Sequence, residues 1–468
     1  MLSSNEQRTR RIQLLLFIIT AIATTVSGAE WMTGKLLLYG EHKVNWQDFW
    51  HGLYFSIPFL TVLTVHEFGH YFTARYHSIK VTLPFYIPLW LGFIAGPSIG
   101  TMGALIRIKE QIIDRKKYFD VGISGPLAGF VVALGVLAYG FSSLPPKSYV
   151  FDIHPDYEQY GDSFEEHVYS YEYMDGFMRQ MYSEQREKDS IAYVIEQGTA
   201  EGWTFPQYVS EPYYETLAIG RAPLFDWMES VFADPDRIPN AYELMHYPWL
   251  FAGFLSLFFT SLNLLPVGQL DGGHILYGLV GAKWHRHVAR AVFMAFIYYA
   301  GLGLFDPKDI MSEFFTVALY VGFLYLSFYK FSMLKRDRWM YALIIFTAQF
   351  ITLLFYPGVE GYAGWLLFAF ILGRFLGIYH PPVIIDHPLD WRRKVLGWMA
   401  LVVFIVSLSP KPFEHVRFYS NNVMSDTPSI LSLTNPSPYV DRIDMPSSRP
   451  LASRNSMKLE EEMSVLAD

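Results

Sequence analysis

The chain has 468 residues, of which 52% are apolar, 18% aromatic and only 17% charged, with no cysteine and a net charge of −8. Soluble proteins carry roughly 25% charged residues, so the composition disfavours a soluble multidomain enzyme. Without cysteine there are no disulfides, thiolate metal sites or thiol nucleophiles, and any metal must be held by His and carboxylates; the acidic balance argues against a nucleic-acid partner.

Apolar runs recur at residues 12–28, 52–73, 119–142, 248–266, 288–305, 313–331, 340–356, 362–379 and 395–409. About 20 apolar residues of helix cross ~30 Å of hydrocarbon. The runs therefore predict an all-α polytopic integral membrane protein with about nine transmembrane helices, the run at 395–409 being short for a full crossing. Trp46, Trp50, Trp249, Trp284, Trp339 and Trp391 near run ends suit interfacial belts. Arg8, Arg10 and Arg11 precede the first run, and further Lys and Arg clusters fall at 107–117, 283–290, 335–338 and 392–394. Every second loop is thus basic, which places those loops and the amino terminus in the cytoplasm, the expected location being a bacterial inner membrane.

The chain divides into an amino-terminal segment with the first span (1–49), a first core half (50–142), an insertion (143–247), a second core half (248–305), carboxy-terminal transmembrane helices (306–410) and a tail (411–468). Between residues 145 and 246 lie 20 acidic and 6 basic residues, as expected of a soluble, solvated insertion on the extracytoplasmic side. The tail is rich in Ser, Pro and Asn, a composition that predicts disorder.

Residues 66–70, inside the second run, read His-Glu-Phe-Gly-His. On a helix, positions i and i+4 share a face, so His66 and His70 can reach one metal ion while Glu67 stands beside its open position. Their depth, roughly 14 Å from the cytoplasmic boundary at 1.5 Å per residue, makes three ionisable groups costly unless they are coordinated or paired. A catalytic zinc takes a third protein ligand and keeps its fourth position for water. The best-placed candidate is Asp271, in Asn263-Leu-Leu-Pro266-Val-Gly268-Gln-Leu-Asp271-Gly272-Gly273, where Pro266 and Gly268 break an apolar run. Such a break is tolerated at membrane depth where the freed backbone is buried in protein or faces a wet cavity.

The embedded His66-Glu67-x-x-His70 together with Asn263-x-x-Pro266-x-x-x-Leu270-Asp271-Gly272 resembles the site-2 protease family of intramembrane zinc metalloproteases. Between them, residues 100–108 resemble that family's membrane-associated β-hairpin region, and Ser124-Gly125-Pro126-Leu127-Ala128-Gly129 its small-residue motif. The layout lacks an evident PDZ module and is most similar to the branch of cyanobacterial and plastid members. The resemblance covers about residues 50–142 and 248–290; the insertion, the later spans and the tail lie outside it.

The expected function is a zinc metalloendopeptidase that cuts a membrane-spanning or membrane-tethered protein, as in regulated intramembrane proteolysis. One zinc ion would sit on His66, His70 and Asp271, with Glu67 as general base. The resemblance implies Asn263 as an oxyanion donor, and Ala104–Ile108 is expected to be an edge strand onto which an unwound substrate adds. An inactive client- or metal-binding protein of the same fold and a secondary transporter are the competing readings. Gly125, Pro126 and Gly129 are expected to permit close helix packing, His274 to be interfacial, His285 and His287 to be solvated, and Arg374 to snorkel.

Overall fold

The computed structural model describes residues 4–40, 42–94, 98–170, 172–173, 176, 213–312 and 314–419. These residues are mostly helical, and each of the apolar runs falls on a helix. In order the helices are Ser4–Thr33, Leu53–Tyr76, Arg115–Ser142, Pro248–Leu264, Asp271–Ala300, Phe314–Ser327, Lys335–Phe355, Gly364–Ile371 and Trp391–Ser407, the eighth continuing into a π-helical turn at Leu372–Leu376. Among the described residues, 3 helices, the first, third and seventh, are long and apolar enough to cross a membrane. The chain is a membrane protein.

Small residues let the first helices approach backbone to backbone. A Cβ on Gly52 would meet the Thr25 carbonyl at 2.1 Å, and one on Gly69 would meet that of Ser124 at 2.6 Å. Between membrane helices, where lipid gives no hydrophobic drive for association, such contact supplies the packing energy. Thr25 also shares a 2.9 Å hydrogen bond with Ser56 across this interface. Phe55, Leu137, Phe141, Phe251 and Phe254 interlock in the core that joins the second, third and fourth helices. A second cluster, around Phe293, Phe328, Phe331 and Ala369, holds the later helices.

A two-stranded antiparallel sheet pairs β1 (Phe85–Leu89) with β2 (Gly100–Leu105), Phe85 facing Leu105 and Leu89 facing Gly100. The strand therefore starts four residues before the Ala104–Ile108 edge expected from sequence. Beyond Leu105 the chain leaves the ladder, and Ile108 makes only an isolated bridge to Val81. Gly100, at φ +84, is the position where β2 touches the first helix, and a Cβ there would lie 2.5 Å from Cα of Thr24.

Two further expectations are corrected. The tail opens with a strand, not disorder: β4 (Phe413–Tyr419) pairs antiparallel with β3 (Tyr213–Ile219) of the insertion, Ile219 facing Phe413. Phe413 sets its ring 5.6 Å from that of Phe254, so this segment has an apolar partner that composition alone did not reveal. Residues 177–212 of the insertion and 420–468 of the tail lie outside the described residues. The basic stretch 283–290, expected as a loop, is helical within Asp271–Ala300, whose break falls earlier, at Gly281 (φ 76, ψ 174). His285 is accordingly buried at 2% exposure, whereas His287 is exposed as expected.

Candidate metal centre

Helix periodicity puts His66 and His70 on the buried face of Leu53–Tyr76, and the third helix fixes them there. The Nδ1–H of His70 donates to the Val121 carbonyl at 2.7 Å, which leaves its Nε2 as a lone-pair donor. A Cβ on Gly125 would fall 2.1 Å from that Nε2, and one on Gly129 would fall 3.0 Å from Cβ of His66. These glycines form the floor against which the imidazoles lie; Pro126 is buried beside them.

The third group arrives across the helix break. The Pro248–Leu264 helix stops before Pro266, and Gly268 takes φ +65 so close to Gly377 that a Cβ would lie 2.1 Å from its carbonyl oxygen. The Gly268 N–H donates to the Ile378 carbonyl at 3.0 Å, so the broken backbone is satisfied by protein. The helix restarts at Asp271, and Gly272 and Gly273 permit the tight return: a Cβ on Gly272 would meet the Leu264 carbonyl at 1.9 Å.

The result is a triangle of three acceptor atoms. Oδ2 of Asp271 lies 3.4 Å from His66 Nε2 and 3.2 Å from His70 Nε2, and the two Nε2 atoms are 3.1 Å apart. All three residues are largely buried. Lone pairs aimed at one another repel unless a cation or proton lies between them. A tetrahedral zinc with bonds of about 2.0–2.2 Å spaces its ligands about 3.3–3.6 Å apart; the three edges run from 3.1 to 3.4 Å, so a small outward shift of the two imidazoles makes them one face of such a site. The donor set, two neutral imidazoles and a carboxylate, is also the one zinc takes when thiolates are absent. Glu67 Oε1 stands 4.0 Å from His66 Nε2, close to the open side and outside the ligand triangle.

The triangle opens into a cavity of about 310 Å³ whose walls include Phe59, Met102, Leu105, Asn263 and His274. Residues 102–106 of β2 and its extension line one side of it. Asn263 thus shares the cavity with the three ligand candidates and Glu67. His274 lies on the wall with a partner the sequence did not suggest: its Nδ1 is 2.8 Å from Nε2 of His380. His380 donates Nδ1–H to the Pro381 carbonyl at 2.6 Å, so its Nε2 accepts from His274. Burial holds His380 below the ordinary imidazole range, at about 4. The sequence signal missed here is the lone His380 just after a span, more than a hundred residues from His274. Arg374 stacks on the Tyr329 ring at 3.9 Å, a cation–π contact that the sequence did not suggest.

The sequence pattern of peptidase family M50 matches residues 54–305, which contain the triangle, Glu67, β2 and the helix break. The chain belongs to peptidase family M50. Within it, the chain is 24% identical to the probable zinc metalloprotease EGY2, chloroplastic, of Oryza sativa subsp. indica, over 232 residues, 50% of this chain and 30% of the relative. It is 22% identical to the probable zinc metalloprotease EGY1, chloroplastic, of Oryza sativa subsp. japonica, over 228 residues, 47% of this chain and 27% of the relative. Against the Arabidopsis thaliana EGY2 protein identity reaches 35% over 103 residues, 22% of this chain and 17% of the relative. The chain therefore spans less than a third of the length of these curated relatives. No solved structure matches it.

Proposed function

We propose that this M50 chain is a zinc-dependent intramembrane endopeptidase that cuts a membrane-spanning or membrane-tethered protein. The observation that carries the proposal is the convergence of His66, His70 and Asp271 from two helices onto one point of a buried cavity beside Glu67. Zinc bound there would polarise a peptide carbonyl and acidify the attacking water. Glu67 would take the proton of that water on its carboxylate and deliver it to the leaving amine. Asn263 would offer its side-chain N–H to the oxygen that gains negative charge. Glu67 and the backbone of Ile106 line the same cavity.

A helical substrate hides its peptide bonds in its own hydrogen bonds and must unwind to be cut. In the described residues β2 pairs with β1 on one edge only, and its residues line the cavity, which supports β2 as the edge that takes an unwound segment as a further strand. Single-ion stoichiometry, regulated intramembrane proteolysis as the setting and nine spans belong to the same proposal. The basic clusters support an amino terminus on the cytoplasmic side of a bacterial inner membrane or, since the relatives' names read chloroplastic, on the equivalent stromal side of a plastid membrane.

The test is full-length protein reconstituted in liposomes with a tagged single-span substrate, comparing wild type with Glu67→Gln. Cleavage by the wild type alone, at equal zinc content, is the expected result. Undiminished cleavage by the variant would remove Glu67 as the base, and no cleavage by either would remove the protease reading.

A further inference from the structure

A second group of ligand atoms lies outside this centre. The segment Glu243-Leu244-Met245-His246 forms a 3₁₀ turn over Leu244–His246 just before the Pro248–Leu264 helix. With three residues per turn, side chains at i and i+3 lie on the same side, so Glu243 and His246 face one point. His154, from the near end of the insertion, reaches the same point. Its Nε2 is 3.5 Å from Glu243 Oε2 and 3.4 Å from His246 Nε2, and the His246–Glu243 edge is 3.5 Å.

Ordinary hydrogen bonds do not account for this triangle. A His–carboxylate pair that bonds directly closes to about 2.7–3.0 Å, as His77 and Asp120 do at 2.9 Å in this same protein. None of the three edges closes so far. Glu243 Oε2 is buried and has no hydrogen-bond partner, an expensive state for a carboxylate oxygen. The remaining atoms of the set are oriented from behind. His246 Nδ1–H donates to the Met32 carbonyl at 3.0 Å, and the Tyr169 hydroxyl donates to Glu243 Oε1 at 2.7 Å. That is the outer shell which directs imidazole and carboxylate lone pairs at a metal.

We propose that His154, Glu243 and His246 form a second metal site, for a divalent transition ion of which zinc fits best. Edges near 3.4–3.5 Å correspond to tetrahedral bonds of about 2.1 Å. Two nitrogen donors and one oxygen donor suit zinc over calcium or magnesium, which take oxygen ligands. The Glu243 and His246 side chains are 5% and 6% exposed and that of His154 is 35% exposed, so the fourth position is reached from the His154 side, by water or a small anion. The site draws on the insertion, on the turn that starts the fourth long helix and, through Met32, on the end of the first. Its role is structural: it pins the insertion to the helices that carry the first centre, and it does not depend on that centre being a protease.

The test is metal content. Full-length wild type and the isosteric Glu243→Gln variant are loaded with zinc in detergent, freed of excess and assayed by mass spectrometry, with His66→Ala/His70→Ala as a third sample. The variant is expected to hold one equivalent less than the wild type while keeping its cleavage activity, and the His66→Ala/His70→Ala protein to lose a different equivalent. Cobalt in that double variant should show the visible absorption of a four-coordinate ion, lost on adding His154→Ala. Equal zinc in wild type and Glu243→Gln overturns the proposal. A wild type with one equivalent that Glu243→Gln lacks sustains it and removes the first centre instead.

Discussion

The missing side chain of Gly125 is what lets His70 stand where it does, since a Cβ there would lie 2.1 Å from the imidazole Nε2. Backbone and ligand cannot both stay in place if that atom is added. Gly125→Ala should therefore tilt His70 out of the triangle and weaken zinc binding by roughly 10–100-fold, the usual size of an outer-shell disturbance. Gly135, on the same helix, has open space where a Cβ would stand, and Gly135→Ala should leave affinity unchanged. Chelator competition on the two variants measures the difference.

Ile106 gives a second handle, because it lines the cavity with Glu67 just beyond the end of β2, its backbone amide beside the carboxylate. Proline at this position has no N–H to give. Ile106→Pro should lower cleavage about 10-fold, less than the ~100-fold or more that a positioned general base contributes because Glu67 itself stays, while zinc content stays at the wild-type level. Ile106→Val keeps the amide and should stay close to the wild-type rate. Parallel assays of turnover and bound metal separate this effect from loss of the ion.

Much of the first centre was legible because its signals are local. The i, i+4 spacing of His66 and His70 and the Pro266–Gly268 break are readable within a few residues, and ionisable groups in an apolar run demand a reason. What sequence hid was whatever depends on partners distant in the chain. The burial of His285 follows from a break at Gly281 that a basic stretch disguises as a loop, and His274 needs His380 more than a hundred residues later. The strand Phe413–Tyr419 is stabilised by β3 and by Phe254, so composition alone suggested disorder. His154 and the Glu243–His246 turn sat inside an acidic insertion whose charge favoured a solvated reading, although Glu-x-x-His on one turn is a local signal that could have been found.

An ionic network ties the start of the last helix to the second and third. Arg393 donates to both carboxylate oxygens of Asp120 at 2.7 and 2.8 Å and also to Asp390, while His77 meets Asp120 at 2.9 Å. Hydrogen bonds from the Arg393 side chain and amide hold Asp390 down from 3.8 to about 2. A depressed carboxylate stabilises the fold above its unfolded value and loses that contribution as pH falls through the folded one. The window here runs from about pH 4 down to about pH 2, and the effect is small because Asp390 is solvent-screened. Arg393→Met should flatten this acid limb of melting temperature against pH and lower the neutral-pH value by a few degrees.

Arg115 closes the helix break at Gly281 from the other side. Its Nε donates to the Gly278 carbonyl at 3.0 Å and its Nη1 to Asp386 at 3.0 Å, while the guanidinium lies against Gly281, 3.2 Å from where a Cβ would be. The first segment of the Asp271 helix ends here, so a buried cation meets carbonyls that have lost their intrahelical donors. Arg115→Met keeps the stem's packing but leaves the Gly278 carbonyl unbonded. Losing a hydrogen bond from a charged donor costs about 1.5–3 kcal/mol. Asp386 is 45% exposed and can be hydrated once unpaired, so Asp386→Asn should cost well under half as much. Since Asp271 opens the same segment, the Met variant should also bind zinc more weakly, and Asp386→Asn should not. Thermal unfolding and zinc titration of the two variants side by side check both the order and the coupling.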